Sequence, residues 1–143
     1  MPQRSYKETV EIDAPIEVVW AVLSDVERWP RWTESMSSVE LVTPGPLREG
    51  SVAHVKQPKL PMATFTVDGY EEGRSFSWTA AAAGVRSTGD HRIEATPTGT
   101  RATVVLEQSG AMAGFVGLAY AKLIRRYVRM EAEGLKREAE SRA

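Results

Sequence analysis

The sequence predicts an α+β fold: a curved antiparallel sheet of seven strands covered by one long C-terminal helix, with two short helices after the first strand. Three observations carry this expectation. The first strand and the stretch from Met36 to Gln108 alternate apolar and polar residues, the period of two that marks a strand with one face inward. Gly, Pro and acidic residues interrupt that stretch at intervals of about ten residues, as in an antiparallel meander. The tail from Ala113 to Arg142 is instead amphipathic at helical spacing.

Tyr6, Glu8, Val10 and Ile12 alternate with Ser5, Lys7, Thr9 and Glu11, and the strand stops at Asp13-Ala14-Pro15. Pro15 suits the first position of a helix, where a missing N–H costs nothing. Ile16, Val19, Trp20 and Leu23 continue at helical spacing, and a second short turn follows from Glu27 to Trp32 around Pro30. Six strands are then expected: 39–43, 51–57, 62–70, 75–82, 85–95 and 100–108. In the last helix Val116, Ala119, Tyr120, Leu123, Tyr127 and Met130 form one stripe, with Lys122, Arg125, Arg129 and Lys136 opposite. Gly134 lies on the apolar stripe, where a missing side chain lets a neighbouring backbone approach.

The composition fits one domain, residues 1–143, long enough to bury a core without disulfide or metal staples. Lys plus Arg number 18 and Asp plus Glu 19, so the net charge of -1 gives no overall attraction to nucleic acid or anionic lipid. With no cysteine, disulfides, thiolate metal sites and a cysteine nucleophile are all excluded. No apolar run approaches the ~20 residues that cross a bilayer, and the first residues lack the apolar core of a secretory signal. A cytoplasmic protein without stable membrane association, monomeric or homodimeric, is the expectation.

A long helix laid across a bent sheet cannot touch it everywhere, so the space between is either filled by large side chains or left open as a pocket. Alternation assigns Ala53, Val55, Phe65, Phe76, Trp78, Ile93, Val104 and Leu106 to the helix-facing side, and His54, Lys56, Arg92 and Glu107 to solvent. The inward face also carries a polar minority: Glu8, Gln57, His91 and Gln108. Buried polar groups must be hydrogen-bonded or wet, and a few of them among aromatic side chains are what a ligand pocket contains. From the helix, Phe115, Ala119 and Leu123 are expected to complete the pocket; Trp29 and Trp32 either close its mouth by stacking on a flat ligand or cap the core and anchor the helical turn.

Val10-Glu11-Ile12-Asp13-Ala14-Pro15, followed by Glu17-Val18-Val19-Trp20, resembles the opening of the START-like (SRPBCC) superfamily. Trp29-Pro30-Arg31-Trp32, Gln57-Pro58-Lys59-Leu60-Pro61, Gly73 to Trp78 and the hairpin Gly99 to Val104 follow at the spacing of its polyketide cyclase/dehydrase-like branch. The resemblance spans essentially the whole chain and implies a helix-grip fold, a sheet gripping the C-terminal helix around a hydrophobic cavity. It does not choose between the lipid carriers, ligand-binding proteins, aromatase/cyclases, co-chaperone domains and oxygenase subunits that share this fold.

The residues narrow the chemistry. The two histidines, His54 and His91, fall on opposite faces of the sheet, and no HxH, HExxH or carboxylate cluster completes a metal shell. No Gly-rich phosphate loop or G-x-S-x-G motif occurs, so neither a cofactor nor a serine nucleophile is expected. His91 is the best candidate for proton transfer, with Glu8 second; a histidine bonded to a backbone group or a Glu side chain is the structural alternative. Arg125, Arg126 and Arg129 read as a solvated helix face beside Glu131 and Glu133. Two classes stay open: a binder of a small aromatic, polyketide-like or lipid-like molecule, and a cofactor-independent cyclase/dehydratase using the same cavity. A protein-interaction domain ranks third, because it needs a large exposed apolar patch.

Overall fold

A computed structural model describes residues 4–143; the first three residues of the expected domain lie outside the described residues. The order is β1 (Arg4–Ile12), α1 (Ile16–Ser24), a 3-10 turn (Val26–Arg31), then β2 (Ser38–Leu41), β3 (Val52–Lys56), β4 (Ala63–Glu71), β5 (Ser75–Ala82), β6 (Val85–Thr96) and β7 (Gly99–Ser109), closed by α2 (Ala113–Arg142). All seven strands form one antiparallel sheet in the order β1-β7-β6-β5-β4-β3-β2. The sheet is curved and the long C-terminal helix crosses it, the helix-grip architecture. Pro15 stands one position before the first helical residue, and its carbonyl accepts the amides of Val18 and Val19.

Short turns hold the meander in register. β5 and β6 are joined by Ala83 and Gly84, both at positive φ, as a two-residue hairpin matched to strand twist requires. One irregularity lies in β4: Val67 opposes Trp78 but Gly69 opposes Ser77, leaving Asp68 as the extra residue of a bulge. Its carboxylate accepts the hydroxyls of Ser77 and Thr79. Burial raises the Asp68 pKa, but these two hydrogen bonds, together with a backbone hydrogen bond and the charge of Arg86, hold it below the ordinary value.

Burial follows the alternation. Phe76 is buried and Ser77 half-buried, Val104 is buried and Val105 half-buried, and Arg92 and Glu107 are exposed. His54 and Lys56 are half-buried, because His54 meets Thr64 and Lys56 caps carbonyls of the following loop. The core splits in two. The larger part joins α1, the 3-10 turn and the sheet centre to Leu135 and Ala139 of α2; the smaller sets Ile124, Val128 and Ala132 on Tyr6 and Val104.

The inward face of α2 departs from the expected stripe. Ile124, Tyr127, Val128, Glu131 and Leu135 are buried, whereas Ala119 is exposed and Leu123 and Met130 are half-buried. The helix is turned toward its small residues. Gly134 packs so closely on Trp32 that any β-carbon there would overlap the Trp32 carbonyl oxygen. Ala132 and Ala139 are fully buried on the same side.

Candidate functional site

Between α2 and the β3–β7 part of the sheet lies a cavity of about 350 Å³. That is the lower end of the roughly 300–1,000 Å³ range of small-molecule pockets. Val55, Phe65, Trp78, Val104 and Leu106 supply apolar wall from the sheet, and Val116, Tyr120, Ile124 and Val128 from the helix. Gly89 stands opposite Trp78, and its missing side chain leaves room for the indole edge. The polar minority of the lining includes Gln57, His91, Gln108, Ser87 and Glu131, and the lining contains no Lys or Arg among the described residues.

His91 is set by β6, whose alternation turns it inward opposite Val104 on one side and Phe76 on the other. Its ring stacks on Phe76 at 4.4 Å between centroids, and the edges of Trp29 and Trp78 enclose it at 5.2 and 6.0 Å. Nε2 lies 2.8 Å from a carboxylate oxygen of Glu131 and Nδ1 lies 3.3 Å from the Phe76 carbonyl. Both side chains are enclosed, at 3% and 10% relative exposure. A carbonyl and a carboxylate both only accept, so a hydrogen on Nδ1 completes the first contact and one on Nε2 the second. A neutral ring carries one of these two hydrogens and completes one of the two contacts. Either way, imidazole and carboxylate lie within reach of one proton at the cavity wall.

Of the residues expected to bind a ligand, Val55, Gln57, Phe65, Trp78, His91, Val104 and Gln108 line the cavity. Ala53, Phe76 and Ile93 face inward but lie in the packed core, with Phe76 behind the His91 ring. Trp29 and Trp32 do not close the mouth. Trp29 is fully buried and donates its indole N–H to the Leu23 carbonyl at 3.0 Å, filling the space under α1. It braces His91 from the far side instead. Phe115, Ala119 and Leu123 fall outside the lining because α2 is rotated toward its glycines; Phe115 is 67% exposed. Glu8 also lies outside it, paired with Arg129 at 3.5 Å at the sheet edge, away from the cavity. Gln57 is partly engaged, donating to the Ser35 carbonyl.

Sequence reasoning placed Glu131 on the solvated face, with its charged neighbours Arg129 and Glu133. A signal was available: Glu131 follows Tyr120, Ile124 and Tyr127 at spacings of four, three and four, one continuous helical face. Tyr127 was on the expected stripe, and its hydroxyl donates to the Pro58 carbonyl at 2.6 Å, tying the helix to the loop beside the cavity.

Residues 3–140 match the model of the family described as polyketide cyclase/dehydrase and lipid transport. The chain belongs to that family. A Streptomyces halstedii protein provisionally named a polyketide cyclase is 30% identical over 91 residues, 62% of this chain and 72% of its own length. The ZhuI aromatase/cyclase from Streptomyces sp. R1128 superposes with a TM-score of 0.80 at 19% identity, over 99% of this chain and 96% of that one. Ara h 8.0201 gives 0.77 at 12% identity, over 98% and 99%. At such identities the two structures establish the shared fold alone. No cluster of three or more His, Cys, Asp or Glu side chains that could hold a metal occurs among the described residues, and no helix among them is long and apolar enough to cross a membrane.

Proposed function

We propose that this protein is a cofactor-independent cyclase/dehydratase for a flat, polyketide-like molecule, with the His91–Glu131 pair as its proton carrier. The observation that carries the reading is this enclosed imidazole–carboxylate pair, 2.8 Å apart on the wall of an otherwise apolar cavity. A polyketone chain folded in such a space already holds its nucleophilic carbon near an electrophilic carbonyl, so positioning supplies much of the rate. The pair takes a proton from the carbon between two carbonyls, the new carbon–carbon bond forms, and the proton is returned to the carbonyl oxygen that becomes a hydroxyl. In the dehydration the pair protonates that hydroxyl, which leaves as water, and the neighbouring C–H proton returns to the pair. No electrons leave the system. Low polarity around the pair strengthens each of these proton transfers.

A second reading, a binder without catalysis, has one observation in its favour: both ring nitrogens of His91 already have protein partners. A synthetic oligo-β-ketone thioester separates the two. On the first reading wild-type protein accelerates its cyclisation, and His91→Asn lowers turnover at least ~100-fold while binding changes by only a few-fold. Val55→Trp, which fills the cavity, abolishes both in a folded protein. Wild-type protein that binds the thioester but leaves its reaction at the buffer rate excludes the cyclase and leaves the binder.

A further inference from the structure

We infer that the end of the cavity formed by Gln108 and Ser87 is a subsite for a neutral ligand hydroxyl, phenolic or enolic, which orients the ligand against the His91–Glu131 pair. This rests on the reading of the cavity as a ligand site and adds which functional group the ligand carries, and where.

Gln108 is 6% exposed, and its side chain lines the cavity. Its amide nitrogen reaches the Ser87 hydroxyl only at 3.4 Å, the weak limit of a hydrogen bond. Its amide oxygen is buried with no partner. Two other side-chain atoms share that condition among the described residues, Tyr6 Oη and Trp32 Nε1, and neither residue lines the cavity. An unpaired amide beside an apolar space is destabilising in the empty protein and favours a ligand that completes it.

The chemistry of the missing partner follows from the amide and its surroundings. The amide oxygen is sealed from the space as it stands, so a ligand engages this group as the amide turns: oxygen-first it needs a donor, nitrogen-first an acceptor. A hydroxyl meets either need, whereas an ether or ketone meets only one. A carboxylate is disfavoured, since the lining provides no Lys or Arg to neutralise it. Strand register sets the distance. Gln108 pairs with Ser87 and Val104 with His91, four residues apart on each strand, about 13 Å at ~3.3 Å per residue. The ligand is therefore elongated, with a hydroxyl at the Gln108 end and the reacting oxygen at the His91 end.

Trp78 lines the same cavity and reports occupancy by its fluorescence. The probes are 2-hydroxyanthraquinone, 2-methoxyanthraquinone and anthraquinone-2-carboxylate, titrated into wild-type protein and Gln108→Leu. In the wild type the hydroxy compound binds about 3- to 10-fold tighter than the methoxy one, the worth of one hydrogen bond, and the carboxylate binds weakest. In Gln108→Leu the hydroxy preference disappears, and the ligand-free melting temperature holds or rises by about 2–4 °C because the unpaired amide is gone. If Gln108→Leu does not fold, Gln108→Met is judged by the same ratio. A hydroxy preference that survives the substitution, or a wild type that does not discriminate, overturns this subsite and leaves the cavity a ligand site. Failure of all three probes to bind the wild type overturns the ligand reading itself, and the subsite with it.

Discussion

Replacing Glu131 in two ways separates its proton from its hydrogen bond. In Glu131→Gln the side chain keeps its length, and its NH2 group can donate to His91 Nε2 while Nδ1–H still faces the Phe76 carbonyl. Every buried polar atom of the pair stays satisfied, so the stability cost is under about 1 kcal/mol. The transferable proton, however, is gone. Glu131→Leu leaves Nε2 buried against a methyl group, and the pair is enclosed at 3% and 10% exposure, so little water is available to compensate. An unsatisfied buried group of this kind costs roughly 1–3 kcal/mol, or about 3–9 °C in melting temperature for a domain near this size. Differential scanning calorimetry measures the two shifts. Turnover of the oligo-β-ketone thioester measures the catalytic loss, which is at least ~100-fold for both variants. Nitrogen NMR of His91 adds a direct readout: the Nε2 resonance moves toward that of a bare ring nitrogen in Glu131→Gln. The reasoning is refuted if Glu131→Gln retains full turnover, or if it melts as low as Glu131→Leu.

Gly134→Ala tests the close packing of α2. Helix propensity alone favours alanine by about 1 kcal/mol, but the new methyl group would overlap the Trp32 carbonyl oxygen and press on its indole. Overpacking costs roughly 1–3 kcal/mol, so a thermal melt shows a decrease; an increase shows that the helix can move away freely. Glu140 accepts the Asp13 backbone amide and the Lys136 ammonium, and these hold its pKa below the ordinary 4.5. Its contribution is complete above pH 4.5 and is lost as pH falls through the lower folded-state value. Denaturant titrations between neutrality and strong acid therefore show a shallower acid loss for Glu140→Gln than for the wild type, and equal slopes count against this pairing.

Much of the fold was legible because strands and turns are encoded locally. Phe76 against Ser77 and Val104 against Val105 need only the period of two, and His91 came inward by the same count. The bulge at Asp68 left no mark in the pattern, since it depends on hydroxyls of the next strand. The helix was harder. Hydropathy favours Leu123 and Met130, but what turns α2 is the absence of bulk at Gly134 against Trp32, at Ala132 beside Tyr6 and Val104, and at Ala139 in the larger core. That rotation placed Phe115 outside the cavity and Glu131 within it. Trp29 and Trp32 were ambiguous for a related reason: an indole beside a proline is equally apt as a lid or as packing, and only the partners, the Leu23 carbonyl for one and Gly134 for the other, decide it. Gln108 lay on the right face by alternation, but its unpaired atom depends on three-dimensional surroundings that spacing does not contain.

The anchoring of α2 is uneven along its length. Its C-terminal half is fastened by Leu135 and Ala139 in the larger core, by Arg137 on the Trp32 carbonyl and by Lys136 and Glu140 at the β1–α1 junction. Its first turns carry Phe115 and Leu118 to solvent and lean on the cavity, which offers empty space where packed side chains would otherwise resist. Between these ends Ile124 and Val128 seat on Tyr6 and Val104, and Tyr127 holds the Pro58 carbonyl, so only the turns before Ile124 border the open space alone. A tilt of those first turns would widen the cavity while leaving the aromatic cluster behind His91 in place. Changes at Val116 or Tyr120, which line the cavity outside both core clusters, would then alter how fast a molecule enters with little effect on how firmly the domain holds together.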